Sequence, residues 1–361
     1  MTLPDAPSVT LHPRWLRVHF GPSRGHADYH LRWLRHLCDR DRHPVTGERT
    51  IDPSDLPDVL QARDARIDGN ALRVVWSHDG RESAYPLAWL MEHAYARDRE
   101  DVPPPPSDLA RITLAAPRDA LASIAPDVLA RVHAEGAAVV RRHPDEDRDP
   151  SAQTESLLDA FGAQGLRVIG THFGRIEDLR TDNTTNANTD QLGYTDAAID
   201  VHTDQPFLDD PPRYQLLQSI RAADAGGENA VVDALAAARH LRAVDLPAYE
   251  VLTRVPVRFH RKQKAFERVV DAPILREVDD AARFMVRYSY FTTAPFQRPF
   301  AEMDAWYRAY EAFARIVRDP RHQYRFALRP GDFVLYDNHR MLHARTAFRG
   351  PRWVRGVYFD P

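Results

Sequence analysis

The chain has 361 residues, a length that suits two domains better than one small core. Its 48 basic and 52 acidic residues are interspersed and sum to −4, which gives no basis for nucleic acid or an anionic membrane as partner. A single cysteine, Cys38, excludes an intramolecular disulfide and a cysteine-cluster metal site, and with no membrane-length apolar run and no leader pattern at Met1-Thr-Leu-Pro-Asp5 the expectation is a soluble, cytoplasmic protein.

Residues 14–100 read as a small, mostly β unit. Residues 15–20 and 71–76 have strand character, Ser77-His-Asp-Gly80 is a turn signal, and residues 82–86 make the returning hairpin arm. Residues 87–97 then read as a helix. Asp101-Val-Pro-Pro-Pro-Pro-Ser-Asp108 is the clearest boundary, because four prolines favour a stiff extended spacer. The expected division is therefore an accessory α+β domain at 1–100, a Pro-rich linker at 101–109 and a second domain at 110–361. In the second domain, residues 119–141 and 149–165 show helical spacing. Strands are expected at 166–170, 197–202, 214–220, 229–233, 255–259, 282–290, 324–328, 332–336 and 352–359, with one long helix at 301–317. Short strands in series with a few helices predict a mainly β fold, a double-stranded β-helix (jelly roll) with flanking helices. The polar segment 180–195 is too long for a mere connector and reads as a lid or binding loop.

His202-Thr-Asp204, answered much later by Asp337-Asn-His-Arg-Met-Leu-His-Ala-Arg345, carries the chemistry. Two imidazoles and one carboxylate can occupy one face of an octahedral metal, leaving the opposite face for substrate and oxygen, as in non-haem Fe(II) oxygenases. The spacing alone is weak evidence. His26-Ala-Asp28 and His143-Pro-Asp145 share it, and His133-Ala-Glu135 is a variant. Context separates them: His143 lies in a charge run and His26 in a turn, whereas His202 ends an apolar strand, where side chains are held rigidly. The distal segment offers both His339 and His343, and spacing does not choose between them. Arg352 and Arg355 lie on the next strand, and arginine's planar fork suits the remote carboxylate of 2-oxoglutarate.

From about Gly170 onward the chain resembles the gamma-butyrobetaine hydroxylase and trimethyllysine hydroxylase branch of the taurine-dioxygenase-like oxygenases. The likeness is carried by Thr171-His-Phe-Gly174, Gly193-Tyr-Thr195, His202-Thr-Asp-Gln-Pro-Phe207, Pro211-Pro-Arg-Tyr-Gln-Leu-Leu217, Ala225-Gly-Gly-Glu-Asn-Ala-Val-Val-Asp233 and the stretch from Leu328 through Arg345. Trp33-Leu-Arg35, His43-Pro-Val-Thr-Gly-Glu-Arg49 and Tyr85-Pro-Leu-Ala-Trp-Leu90 resemble that family's accessory domain. The resemblance implies that His202, Asp204 and His343 bind Fe(II), and that Arg352, with Asn229 beside it, holds the C5 carboxylate of 2-oxoglutarate. It implies O2 as oxidant, a small-molecule substrate and a homodimer. Tyr194 matches a wall of a trimethylammonium cage.

Three departures qualify the substrate. Only Cys38 remains of the zinc ligands that relatives often carry, and Arg81 stands where their histidine would be, so no structural zinc is expected. Phe173 and Glu177 replace the tyrosine and tryptophan of trimethylamine-binding members, and Glu177 can pair by charge with a primary or secondary amine. Arg287-Tyr-Ser-Tyr-Phe-Thr-Thr293 replaces a stretch that usually carries a substrate-binding asparagine. The expected function is hydroxylation of an unactivated C–H bond of a small amine, betaine or amino-acid-like compound. Rival readings are a same-fold desaturase, cyclase or epimerase of a specialised pathway, and a non-catalytic jelly-roll binding protein.

Overall fold

The computed structural model describes residues 6–21, 26–94, 112–181, 191–277 and 279–361; the Pro-rich linker at 101–109 and most of the 180–195 loop lie outside them. The N-terminal unit holds two three-stranded antiparallel sheets, one of Ser8–Leu11, Trp15–His19 and His26–His30, the other of Ala62–Asp68, Ala71–Trp76 and Glu82–Pro86. The anticipated hairpin forms, with Gly80 at φ 68° supplying the left-handed turn residue. Short helices Leu31–His36 and Leu87–Glu92 follow the strands, and the tail of the expected helix at 95–97 falls outside the described residues.

The rest of the described chain is mainly β. Its seven-stranded sheet runs Arg167–Ile169, Trp353–Asp360, Tyr214–Arg221, Phe333–Asp337, Ala137–Arg141 and Thr113–Ala115, with Glu177–Arg180 also paired to Trp353–Asp360. A four-stranded sheet runs Ile199–His202, Met341–Arg345, Asn229–Asp233 and Tyr324–Phe326. The two sheets face one another across a core of Val139, Leu217, Val231, Val334, Met341 and Val354. Along the chain, strands pass from one sheet to the other: 199–202 to 214–221 to 229–233, and later 324–326 to 333–337 to 341–345 to 353–360.

Helices cover the outer faces. Ala125–Glu135 and Thr154–Gly162 pack on the large sheet through Val128, Val132, Leu157 and Phe161. Ala234–Val244, Leu246–Arg254 and Phe300–Val317 cover the small sheet, and the same apolar cluster continues through Trp306, Tyr310 and Phe313 into Leu16, Tyr29, Trp33 and Trp76 of the N-terminal unit. The two units therefore share one core.

Four expectations are corrected. The helix at 119–141 stops at Gly136, whose φ of 86° breaks it, and the following Ala-Ala-Val-Val is a central strand buried on both faces. Residues 282–290 pair only at Met285–Val286, because the backbone of Tyr288 bonds instead to the bend after His202, its N–H donating to Thr203 Oγ1 and its carbonyl accepting from Thr203 N. The helices at 234–244 and 246–254 were not foreseen, although Asp233 and Asp245 cap them by accepting from Ala236 N and Ala248 N. Met341–Arg345 is a strand, which the polar composition of the preceding turn obscures.

Gly136→Ala tests the helix-to-strand break, since an added Cβ would meet the Met341 side chain on a backbone that L residues rarely adopt. It should lower unfolding free energy by about 1–3 kcal/mol. Urea unfolding measures it, and an unchanged midpoint would contradict this account.

Candidate functional site

His202 ends the edge strand Ile199–His202 and lies directly across from His343 in the antiparallel register. Opposite residues project from the same face, so the two rings stand with centroids 4.1 Å apart. Asp204 follows two residues on, beyond the strand, and its backbone is fixed from outside. Asp204 N donates to Asn338 Oδ1 at 2.9 Å, and Asn338 Nδ2 donates back to the Asp204 carbonyl at 3.1 Å. Thr203 and Tyr288 exchange backbone and hydroxyl bonds at the same bend. The irregular 287–290 segment thereby braces the turn between the two candidate ligands.

The ligand atoms converge. His202 Nδ1–H donates to the Asp200 carbonyl at 2.8 Å, which turns Nε2 toward Asp204 Oδ1, 3.4 Å away. His343 Nε2 lies 3.9 Å from the same oxygen. Asp204 Oδ2 is taken by Gln215 Nε2 at 2.6 Å and by the Tyr358 hydroxyl at 2.7 Å, so only Oδ1 remains for a metal. Burial pushes the Asp204 carboxyl up, but the hydrogen bond to His202 and the charge of both imidazoles outweigh it and hold the group well below the usual range. Burial, with His202 adding to it, holds the His343 imidazole down to about 3, so it is neutral and able to ligate. His339 does not join them: its Nε2 engages the Pro211 carbonyl at 2.8 Å. Among the described residues His26, His133 and His143 enter no metal-holding group; Asp28 is occupied by Arg17.

Arg352 faces the same cavity, which holds about 850 Å³ including its mouth, and Asn229 lines it as well. The Arg352 guanidinium is buried, rests 5.5 Å from the Phe348 ring centre and has no carboxylate partner among the described residues. Burial alone lowers it to about 10, so it stays charged and suited to an anion. Arg355 is corrected. An odd spacing from Arg352 along an extended strand sends it to the other face, where it binds Asp178 at 3.0 Å and the Ser151 carbonyl at 2.8 Å.

Phe173 and Glu177 line the cavity, whereas Tyr194 stands behind Glu177 with its hydroxyl donating to Glu177 Oε1 at 3.0 Å. Gln191 Nε2 donates to that oxygen at 2.7 Å. Burial, with the charge of Asp204 adding to it, pushes the Glu177 carboxyl up to about 8. Glu48 of the N-terminal unit also reaches the cavity. It accepts from Leu192 N and from Arg261 Nη1, the latter at 2.6 Å, and burial raises it to about 7 against the pull of Arg261. Sequence reading missed Glu48, Gln191, Gln215, Arg261, Asn338 and Tyr358. None lies near the triad in sequence except Asn338, whose place in Asp337-Asn-His was the available signal.

Glu177 makes apo stability depend on pH. Between the ordinary value of 4.5 and about 8, the unfolded chain ionises this carboxyl while the folded chain keeps its proton. Stability therefore falls as pH rises through that window, by at most about 1.4 kcal/mol per pH unit, and levels off above it. Glu177→Gln should gain on the wild type between pH 5 and pH 8 in thermal unfolding, and parallel profiles would refute the assignment.

Residues 98–358 match the family described as taurine catabolism dioxygenase TauD, TfdA family. The chain is 28% identical to the gamma-butyrobetaine dioxygenase of Pseudomonas sp. strain AK-1, covering 92% of this chain and 88% of that one. It is 25% identical to the trimethyllysine dioxygenase of Meyerozyma guilliermondii, covering 91% and 86%. The fold is shared with the non-heme iron oxygenase OrfP solved with Fe, succinate and (3S)-hydroxy-L-Arg, at TM-score 0.50 and 19% identity over 66% of this chain and 82% of that one. With three ligand atoms converged and a buried guanidinium facing them, the chain belongs to the TauD/TfdA family and is an Fe(II)- and 2-oxoglutarate-dependent dioxygenase.

Proposed function

We propose that the protein hydroxylates an unactivated C–H bond of a small amine, betaine or amino-acid-like substrate. The carrying observation is the cavity itself, which the triad, Arg352 and Glu177 all line. In this reading His202 Nε2, Asp204 Oδ1 and His343 Nε2 hold the iron, and Arg352 with Asn229 receives the distal carboxylate of 2-oxoglutarate. The alternation of strands between two facing sheets is read as a double-stranded β-helix, the jelly roll. Residues 1–100 act as an accessory domain and 110–361 as the catalytic domain of a cytoplasmic homodimer. Iron with 2-oxoglutarate and O2 supplies the oxidising power, converting the cosubstrate to succinate and CO2 while one oxygen atom enters the substrate.

The chain's own residues do the rest. Gln215 and Tyr358 occupy one oxygen of Asp204, so the carboxylate is presented through the other and coordination positions stay open. The Asp200 carbonyl fixes the tautomer of His202. Phe173, Phe207 and Phe291 line the cavity and limit water beside the reacting carbon. Glu177, protonated in the empty cavity, would ionise against a substrate cation and hold it.

Amine-dependent succinate release with Fe(II), read beside product mass, checks the reading. One added oxygen is expected, and loss of two hydrogens would indicate the desaturase reading. His202→Ala and Asp204→Ala should reduce Fe(II) binding in calorimetry below detection. Arg352→Met should raise KM for 2-oxoglutarate roughly 10- to 100-fold, the worth of hydrogen bonds to a charged group. Retained Fe(II) affinity in both ligand variants would sink the metal assignment.

A further inference from the structure

Two polar groups that line the cavity are short of partners, and both call for the same kind of ligand. The first is Glu177. Gln191 and Tyr194 both donate to Oε1, and no donor among the described residues reaches Oε2. The second is Gln205, directly after the ligand Asp204. Its side chain is buried and lines the cavity, yet among the described residues neither Nε2 nor Oε1 has a partner. Its backbone sits at φ 55°, a left-handed conformation that a non-glycine residue adopts at a cost. A strained backbone that carries an unsatisfied buried amide into a cavity is poor architecture for stability, and it is sound architecture for a ligand.

We propose that the substrate's cationic group carries at least one N–H, as in a free or incompletely methylated amino acid, and that Glu177 and Gln205 are the residues that read it. This rests on the dioxygenase reading of the same cavity. A quaternary nitrogen has no hydrogen to give. Its methyl groups would press on Glu177 and leave that carboxylate oxygen and the Gln205 carbonyl buried and unpaired. An ammonium satisfies both acceptors. The Gln205 amide donor then takes an oxygen of the same ligand, such as its carboxylate, whichever way that amide is turned, since both ends lack partners. Charge points the same way. An ammonium brought against the buried Glu177 carboxyl would drive off its proton and pair with the carboxylate left behind.

The test uses the full chain loaded with Fe(II) and 2-oxoglutarate under nitrogen, with ligand binding read by calorimetry. The ligands are lysine and its Nε-mono-, di- and trimethyl forms, with 4-aminobutyrate and its trimethyl form. N–H-bearing members should bind at least about tenfold tighter than their trimethyl counterparts, the order expected when a buried acceptor is left unmade. Glu177→Gln should erase that preference. Gln205→Leu removes both orphaned atoms at the same backbone angle, so the apo protein should melt higher while N–H ligands bind more weakly, a combination that a purely structural role would not produce. Tighter binding of the trimethyl forms, no binding by any N–H member, or a preference that survives both substitutions would overturn the inference. Succinate release under air is scored separately: its absence counts against the enzymatic reading, whereas succinate formed equally with trimethyl and N–H ligands counts only against this one.

Discussion

The structure depends on one cross-strand pairing, His202 opposite His343 in the small sheet. Opposite residues of an antiparallel pair share a face and lie close enough for their side chains to meet, so the register delivers two imidazoles to one point without any loop having to be positioned. A slip of one residue would turn one ring out of the cavity. The register is held by burial on both sides: the facing sheet packs on one side of Val231 and Met341, and the long helix Phe300–Val317 belongs to the cluster that covers Val232 and Leu342 on the other. Asp204, which no strand fixes, is placed by Asn338, Gln215 and Tyr358.

The N-terminal unit takes part in that support. Asp52 accepts from the hydroxyl of Tyr310 at 2.9 Å, and Asp52 and Asp55 both face Arg318 at the end of the long helix. Arg318 in turn pairs with Asp200 at 2.7 Å, and the Asp200 carbonyl takes the proton that sets the His202 tautomer. Glu48 reaches further, into the cavity wall, and holds the backbone of Leu192 beside the residues that support Glu177. An N-terminal unit that shares the apolar core, braces the strand bearing His202 and sets a carboxylate in the cavity wall takes part in building the site.

Arg352 and Arg345 lie together near Phe348, and the charge of Arg352 adds to burial in lowering Arg345 to about 9. Arg345 is committed to the carbonyls of Thr195 and Ala197, which leaves Arg352 as the cation turned to an incoming anion. Glu177, Glu48 and Arg261 line the same cavity, where burial holds protons on both carboxyls above their ordinary values.

The residue types decided the chemistry. A strand ending in His202-Thr-Asp204 and a distal histidine segment limit the metal, and Arg352, just before the strand Trp353–Asp360, and Asn229, at the start of its own strand, could be named as cavity residues through the family likeness. The same patterns could not distinguish His339 from His343 without the family likeness, nor Arg352 from Arg355, because those choices turn on strand register and alternation, which neighbouring strands impose. Local signals also favoured a helix through 137–141, where central burial on both faces produced a strand instead. Glu48, Arg261, Gln205 and Tyr358 were silent in the sequence for a related reason. A buried carboxylate or amide has no local pattern: its role arises only when folding removes water from it and sets its partners, or their absence, around it. Residue types in order along the chain were enough to set the reaction class. Which charges and unpaired groups face the substrate was settled only by folding, through strand register and the exclusion of water.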